Sequence, residues 1–155
     1  RNLAHFIADQ IPEKNFIYNE GYCPTHDKMQ TEEMQKAKSE HPDAKVLAHP
    51  ECPKTVLQLA DYVGSTSGII KYATESKDME FIICTEEGVS YELTQRNPDK
   101  KFYFTDTLPV CPDMKLITLK KVLHVLKTKD NEVHMDSGLA QETRRPLNRM
   151  LELAK

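Results

Sequence analysis

Short apolar runs alternate along this chain with amphipathic stretches, and that alternation limits the folds open to it. The runs predicted as strands are 15–18, 45–49, 80–84 and 101–104. The stretches predicted as helices are 27–39, 53–62, 66–75, 87–96, 114–127 and 137–153, and Pro146 should break or kink the last one. Strands that alternate with helices of this length are typical of βαβ units, so we expect an α/β fold with short parallel sheets. Ligands of such sheets bind beyond the carboxyl ends of the strands.

Composition excludes several classes of protein. With 21 Lys+Arg against 24 Asp+Glu, the formal net charge is −3, which excludes a strongly basic nucleic-acid binder. No apolar run reaches the roughly 18–20 residues of a membrane span, and the N-terminus has no apolar signal-peptide core. We therefore expect a cytoplasmic protein with neither a nucleic acid nor a membrane as partner. The chain starts at Arg1 rather than Met, which indicates a piece of a longer polypeptide.

The four cysteines are Cys23, Cys52, Cys84 and Cys111. Wide spacing and the missing signal sequence favour a reducing compartment, where cysteines close to histidines indicate metal binding or catalysis. All but Cys84 precede a proline, a residue favoured at the first position of a helix. Each of those three is predicted to enter a helix, where the N–H groups and the helix dipole favour the metal-binding thiolate. Cys84 ends an apolar run and is interpreted as a buried strand residue.

A repeat is visible in the order of these elements. The apolar run 15–18 leads to Cys23 and then a helix, and the run 101–104 leads to Cys111 and then a helix. The two cysteines lie 88 residues apart, about one small α/β unit. The chain is therefore predicted to hold the end of one repeat unit (1–26), a whole second one (27–127) and a C-terminal segment with a closing helix (128–155). An earlier equivalent cysteine would precede Arg1.

Polar residues collect where predicted strands end. His49 and Glu51 follow a strand, where both can face a ligand as general acid/base or as anchors, although a surface turn is the plainer interpretation. His26 stands three residues after the first Cys-Pro cysteine. Ser65 and Thr66 begin a predicted helix and could bind an anion, or they could serve as an ordinary N-cap.

Metal-ligand spacing alone permits a zinc site. Cys23-x-x-His26 followed by His49-x-x-Cys52 supplies two cysteines and two histidines, a plausible tetrahedral set. That interpretation leaves the matched Cys111 without a role, whereas two cysteines one unit apart suggest ligands that converge on a shared centre.

Two further loops have ordinary interpretations as well. Glu86 and Glu87 follow the third predicted strand and are expected to cap a helix or to be solvated. Met114 lies three residues beyond Cys111, so it could reach a site beside that cysteine, or it could be a core methionine.

In combination, these motifs resemble the signature of bacterial quinolinate synthase, the second enzyme of de novo NAD biosynthesis. The matching segments follow the order of the family: GYCPTH at 21–26, HPEC at 49–52, ADYVGST at 60–66, TEEG at 85–88, CPDMK at 111–115 and LNRML at 147–151. They extend over essentially the whole chain, which resembles the C-terminal half of the enzyme.

The resemblance implies a scaffold and a cofactor. Proteins of this family have three similar three-layer αβα units around a pseudo-threefold axis, and each unit gives one cysteine to a central 4Fe-4S cluster whose fourth iron position stays open. By this resemblance Cys23 is the ligand from the second unit and Cys111 the ligand from the third. The third cysteine would lie outside this chain, in the missing N-terminal part of the same enzyme.

The resemblance also implies a reaction and roles for individual residues. Iminoaspartate would condense with dihydroxyacetone phosphate to give quinolinate, with the cluster as a Lewis acid and L-aspartate oxidase as a metabolic partner. The implied roles are substrate oxyanion binding by His49 and proton transfer by Glu51. Ser65 and Thr66 would bind a carboxylate or phosphate, His26 would contact the substrate or the residues around it, and Met114 would lie beside the cluster. The zinc module, and a non-catalytic fragment that keeps only the fold, stay open as alternatives.

Overall fold

The computed structural model describes Arg1–Ala154, which divide into two compact units. The first unit is Arg1–Pro112, and the second begins at Asp113. The strands are β1 (Lys45–Ala48), β2 (Tyr62–Val63), β3 (Glu80–Cys84) and β4 (Lys101–Tyr103). The helices of the first unit are α1 (Asn2–Gln10), α2 (Pro24–Asp27), α3 (Thr31–Glu40), α4 (Lys54–Leu57), α5 (Thr66–Glu75) and α6 (Val89–Arg96). The second unit contains a 3₁₀ helix (Met114–Leu116), α7 (Leu119–Thr128) and α8 (Ser137–Leu153).

The four strands form one sheet in the order β2-β1-β3-β4, and every neighbouring pair is parallel. The register places Val46 opposite Ile82, and Ile82 opposite Tyr103. The α/β class and the parallel sheet predicted from the sequence are therefore confirmed. The repeat around a threefold axis stays a prediction, as do the boundaries of the repeat units.

Apolar side chains cover both faces of this sheet, because successive strand residues point to opposite sides. One face packs Val46, Ala48 and Ile82 against residues from α3 and α4: Met34, Ala37 and Val56. The other face packs Leu47, Phe81 and Ile83 against residues from α5 and α6: Ile69, Ala73, Val89 and Leu93. Helices on both faces give the expected three-layer αβα arrangement. Full burial of a side chain as large as Phe81 stabilises the fold by about 1.5–3 kcal/mol.

Two predicted elements in the first unit are wrong. Residues 15–18 form no strand, and Ile17 is fully exposed, since no described strand lies beside this run to accept its hydrogen bonds. The helix predicted at 53–62 ends at Leu57, and Tyr62–Val63 form β2 instead. Asp61 explains this change: its carboxylate accepts the Val46 N–H at 2.8 Å and its own N–H donates to the Val46 carbonyl at 2.9 Å, which aligns the chain with β1.

Helix boundaries differ in three further places. The helix predicted at 27–39 begins at Thr31, after the separate short helix α2. The helix predicted at 114–127 is a 3₁₀ turn followed by α7, whose N-cap Thr118 accepts the Lys121 N–H at 3.3 Å. Helix α8 continues through Pro146 without the expected break. Among Arg1–Ala154, no helix is long and apolar enough to cross a membrane.

Candidate functional site

The site residues lie where three parallel strands end, an edge that we call the carboxyl edge. His49 and Glu51 follow β1, Ser65 and Thr66 follow β2, and Thr85 and Glu86 follow β3: in each case the chain has just left a strand. Because parallel strands place their carboxyl ends on one side of the sheet, these loops meet at the same edge.

Hydrogen bonds fasten Cys23 to this edge. The Cys23 N–H donates to Glu51 Oε2 at 2.9 Å. The Asn2 amide on α1 donates both to the Glu51 carbonyl at 2.9 Å and to Asp27 Oδ1 at 2.8 Å, at the end of α2. The loop that carries Cys23 is thus held against the loop after β1 at two points.

His26 lies inside this arrangement, with only 8% of its surface exposed. Its Nδ1 is 3.0 Å from Cys23 Sγ, and its Nε2 is 3.0 Å from Thr85 Oγ1. Its ring stacks on His49, with the ring centroids 4.4 Å apart. Burial, together with the neighbouring His49, lowers the pKa of His26 to about 4. A neutral ring offers one donor and one acceptor, so both of its nitrogens are used within the protein.

His49 and Glu51 form the polar pair predicted from the sequence. The Glu51 N–H donates to His49 Nδ1 at 3.2 Å, so Nδ1 is the acceptor and the proton of the neutral ring sits on Nε2. Partial burial lowers the pKa of His49, which keeps it neutral at pH 7. Glu51 Oε2 binds the Cys23 amide, whereas Oε1 accepts no hydrogen bond from Arg1–Ala154. The pair therefore offers one N–H donor and one carboxylate oxygen to a ligand.

Glu86 also belongs to this edge, although the sequence analysis gave it no role at the site. It is only 7% exposed, so of the two expected roles, capping a helix and being solvated, the second is wrong. Its Oε2 accepts the Gly88 N–H at 2.8 Å, as a cap would, and its Oε1 accepts the Cys111 N–H at 3.2 Å. The signal that could have found it is its place directly after a buried strand, the same signal that identified His49 and Glu51.

Ser65 is the N-cap of α5. Its hydroxyl accepts the Gly68 N–H at 3.2 Å and lies 3.1 Å from Ser67 Oγ. Ser65 and Thr66 are both exposed, so a ligand can reach their hydroxyls and the first turn of the helix. The N-cap interpretation is confirmed, and anion binding stays a prediction.

Cys52 and Cys84 lie in the core rather than at the site. Cys52 is fully buried, and its Sγ is 3.4 Å from both Met29 Sδ and the Cys84 carbonyl. Burial raises the pKa of both thiols, that of Cys84 to about 12. The expectation of a thiolate at Cys52 is therefore wrong, because the core, not a helix N-terminus, surrounds its sulfur. The buried strand position of Cys84 is as predicted.

The zinc alternative depends on Cys52 and is not supported. Cys52 directs its sulfur into the core, so it cannot meet the two histidines and Cys23 at one metal ion. In the described part of the chain, no group of three or more His, Cys, Asp or Glu residues could hold a metal ion.

Comparison with known proteins identifies the family. The family model described as NadA, quinolinate synthetase A protein, matches residues 1–152. The chain belongs to the quinolinate synthetase A family. The quinolinate synthase of Clostridioides difficile is 46% identical over 155 residues, 100% of this chain and 51% of that relative. Those of Caldicellulosiruptor saccharolyticus and Aquifex aeolicus are 47% and 44% identical, over 99% and 98% of this chain and 51% and 49% of the relatives. The chain spans about half the length of these curated relatives.

The two cysteines that the family resemblance assigns to a cluster are the two that a ligand can reach. Cys23 and Cys111 are free and partly exposed, and both lie in the first unit. The prolines that follow them, Pro24 and Pro112, line one cavity of about 240 Å³, so the two Cys-Pro turns are neighbours. Thiolates are the ligands that iron–sulfur clusters prefer. The residues present therefore fit two of the corners of such a cluster, and another chain segment would have to supply a third.

Two other observations concern the surroundings of this site. A depression of about 610 Å³ is lined by Cys23, Glu51, Gly21 and Tyr22 together with residues of α1, and it is large enough for a small organic acid. Met114 belongs to the second unit and is 56% exposed, so it is not a core methionine. Its place beside a cluster stays a prediction.

Proposed function

We propose that this chain provides the C-terminal part of a quinolinate synthase, which joins iminoaspartate and dihydroxyacetone phosphate into quinolinate for NAD biosynthesis. The observation that carries this proposal is the joint placement of His49, Glu51 and the Cys23 loop at the carboxyl edge. The chain spans about half the length of the relatives that it matches, so the activity proposed is that of an enzyme of their full length.

Cys23 and Cys111 would hold a 4Fe-4S cluster together with a cysteine outside this chain. When bound, such a cluster supplies a Lewis acid that stabilises negative charge on a ligand oxygen or nitrogen. Their partial exposure and their neighbouring Cys-Pro turns support this assignment.

His49 and Glu51 would carry the proton chemistry. The His49 Nε2–H is a neutral donor suited to an oxyanion of the substrate, and its orientation is fixed by the Glu51 N–H on Nδ1. Glu51 has one carboxylate oxygen tied to the Cys23 amide and the other available to accept or return a proton. Condensation and dehydration both need proton transfers, so a fixed carboxylate beside an N–H donor suits this reaction.

His26 would act on Cys23 rather than on the substrate. Its nitrogens already contact Cys23 Sγ and Thr85 Oγ1, so a substrate would have to displace one of these partners. A ring held in this way would orient the sulfur of Cys23 and, if that sulfur held a metal, would supply a hydrogen bond to the thiolate.

Ser65 and Thr66 would bind the negative end of a substrate. The first turn of α5 presents backbone N–H groups and the positive end of the helix dipole, and both hydroxyls are exposed. A carboxylate of iminoaspartate or the phosphate of dihydroxyacetone phosphate fits this chemistry. The metabolic partner would be L-aspartate oxidase as the source of iminoaspartate, in the cytoplasm.

The experiment is metal analysis of the full-length polypeptide purified without oxygen. We expect iron and sulfide in the wild type, quinolinate formation from the two substrates, and loss of the brown cluster spectrum in Cys23→Ala and Cys111→Ala. Cys84→Ala is the matched control, because its sulfur is buried in the core. An intact cluster in either ligand variant would contradict the assignment, and a metal-free, inactive wild type would favour a non-catalytic fragment.

A further inference from the structure

Two buried or half-buried glutamates at the carboxyl edge make the same contact with two different cysteines. Glu51 Oε2 accepts the Cys23 N–H at 2.9 Å, and Glu86 Oε1 accepts the Cys111 N–H at 3.2 Å. Each glutamate follows a central strand of the sheet, β1 or β3, and each cysteine opens a Cys-Pro turn. The contact is repeated although the two glutamates lie in different sequence motifs, HPEC at 49–52 and TEEG at 85–88.

The surroundings of Glu86 differ from those of an ordinary helix cap. Glu86 is 7% exposed, whereas Ser65, whose hydroxyl caps α5, is an exposed residue. Its Oε2 caps locally at Gly88, and its Oε1 extends to an amide 25 positions along the chain. The neighbouring Glu87 N–H donates to the Pro109 carbonyl at 2.9 Å, so the loop after β3 is joined to the segment before Cys111 at two points.

The geometry points to Glu86 as the positioning residue of Cys111, in the way that Glu51 positions Cys23. Glu86 holds the backbone amide of Cys111, and Pro112 restricts the chain on the other side, so the direction of the Cys111 side chain is set from both ends. This inference rests on the proposed function in so far as Cys111 is taken as a cluster ligand. Its second consequence is electrostatic: a carboxylate next to a ligating cysteine adds negative charge and lowers the reduction potential of a bound cluster.

The direct test follows the cysteine amides in the metal-free, full-length polypeptide. Selective ¹⁵N-cysteine labelling gives few NMR signals, and Cys→Ser variants assign those of Cys23 and Cys111. Glu86→Gln leaves one acceptor oxygen for two amides, and the oxygen stays with the near Gly88 N–H while the N–H₂ faces the Cys111 amide. We therefore expect Cys111 amide exchange to accelerate on the order of 10-fold or more, with Cys23 unchanged. Glu51→Gln should give the reverse pattern.

A matched control and a second variant separate positioning from folding. Glu92→Gln on α6 removes an exposed carboxylate that pairs with Arg96, and it should leave all cysteine amides unchanged. If Glu86→Gln does not fold, Glu86→Asp keeps the charge but shortens the side chain by one methylene, so it should lose the Cys111 contact and retain the fold. Unchanged Cys111 exchange, or faster exchange of all labelled cysteine amides alike, would overturn the inference.

The cluster itself gives the second measurement. After reconstitution we expect Glu86→Gln to bind less iron and sulfide per chain than wild type and Glu92→Gln, and its remaining cluster to have a more positive reduction potential. If the wild type binds its cluster and Glu86→Gln binds as much iron and sulfide at the same reduction potential, the positioning role is rejected and the proposed function stands. A wild type that binds neither iron nor sulfide would reject the proposed function, and the role of Glu86 toward a cluster with it.

Discussion

Replacing Cys52 by alanine separates the core cysteines from the proposed ligands, and its energetic effect can be worked from the structure. Cys52 is fully buried, and its sulfur contacts Met29 Sδ and the Cys84 carbonyl, each at 3.4 Å. Removing a buried group of this size forfeits about 0.8 kcal/mol of transfer free energy. A residual cavity of roughly 30 Å³ adds about 0.7 kcal/mol at ~24 cal/mol per Å³. The free energy of unfolding should therefore fall by about 1.5 kcal/mol.

The assay has two parts, urea unfolding of the metal-free polypeptide and iron and sulfide content after reconstitution. Cys52→Ala should lower the urea midpoint with an unchanged slope and bind as much iron as the wild type. Cys23→Ala should keep the urea midpoint of the wild type, because Cys23 is partly exposed, and should lose the iron, because Cys23 is a proposed ligand. The reasoning fails if Cys52→Ala loses its iron as Cys23→Ala does, or if its stability matches that of the wild type.

Three further predictions concern the carboxyl edge. Glu51→Gln should lower turnover per bound cluster on the order of 10²-fold or more, measured as quinolinate formed relative to iron content; near-normal turnover would remove Glu51 from the mechanism. Ser65→Ala removes the N-cap of α5 and should lower the free energy of unfolding by about 1 kcal/mol in a urea titration, and an unaltered midpoint would mean that the cap contributes nothing. Because the pKa of His26 lies near 4 in the folded chain and near 6.5 when unfolded, stability should be full above pH 6.5. The free energy of unfolding should be about 3 kcal/mol lower at pH 4. A His26→Gln variant whose free energy of unfolding falls by the same amount between pH 6.5 and pH 4 would show that His26 is not the cause.

Elements with a strong local pattern were predictable from the sequence. The run 80–84 is apolar and bounded by polar residues, and it forms β3 as expected. The predicted helices at 66–75 and 137–153 match α5 and α8, because both have a serine or aspartate cap followed by a regular apolar stripe. The run 15–18 has the same apolar character but no described strand beside it, and a strand depends on a neighbour that its own sequence does not encode.

Contacts between residues far apart in sequence determine the features that the sequence did not predict. Cys23 and Cys52 share the Cys-Pro pattern, yet one is partly exposed at the carboxyl edge and the other is buried beneath it. The dipeptide fixes the backbone locally, but the side of the sheet that the sulfur faces depends on packing with residues such as Met29. Similarly, Glu86 was visible as a cap of its own loop, while its bond to Cys111 spans 25 positions and leaves no local signal.

The parallel sheet explains why residues so far apart in sequence act at one place. A contact path runs from Cys23 through His26 to Thr85, and the adjacent Glu86 continues it to the amide of Cys111. All five residues belong to the first unit, so the placement of both cysteines is built into Arg1–Pro112. Since Thr85 and Glu86 are consecutive residues directly after β3, any shift of that strand end would move both cysteine loops together. The end of β3 is therefore the point at which this fold couples its two proposed ligands.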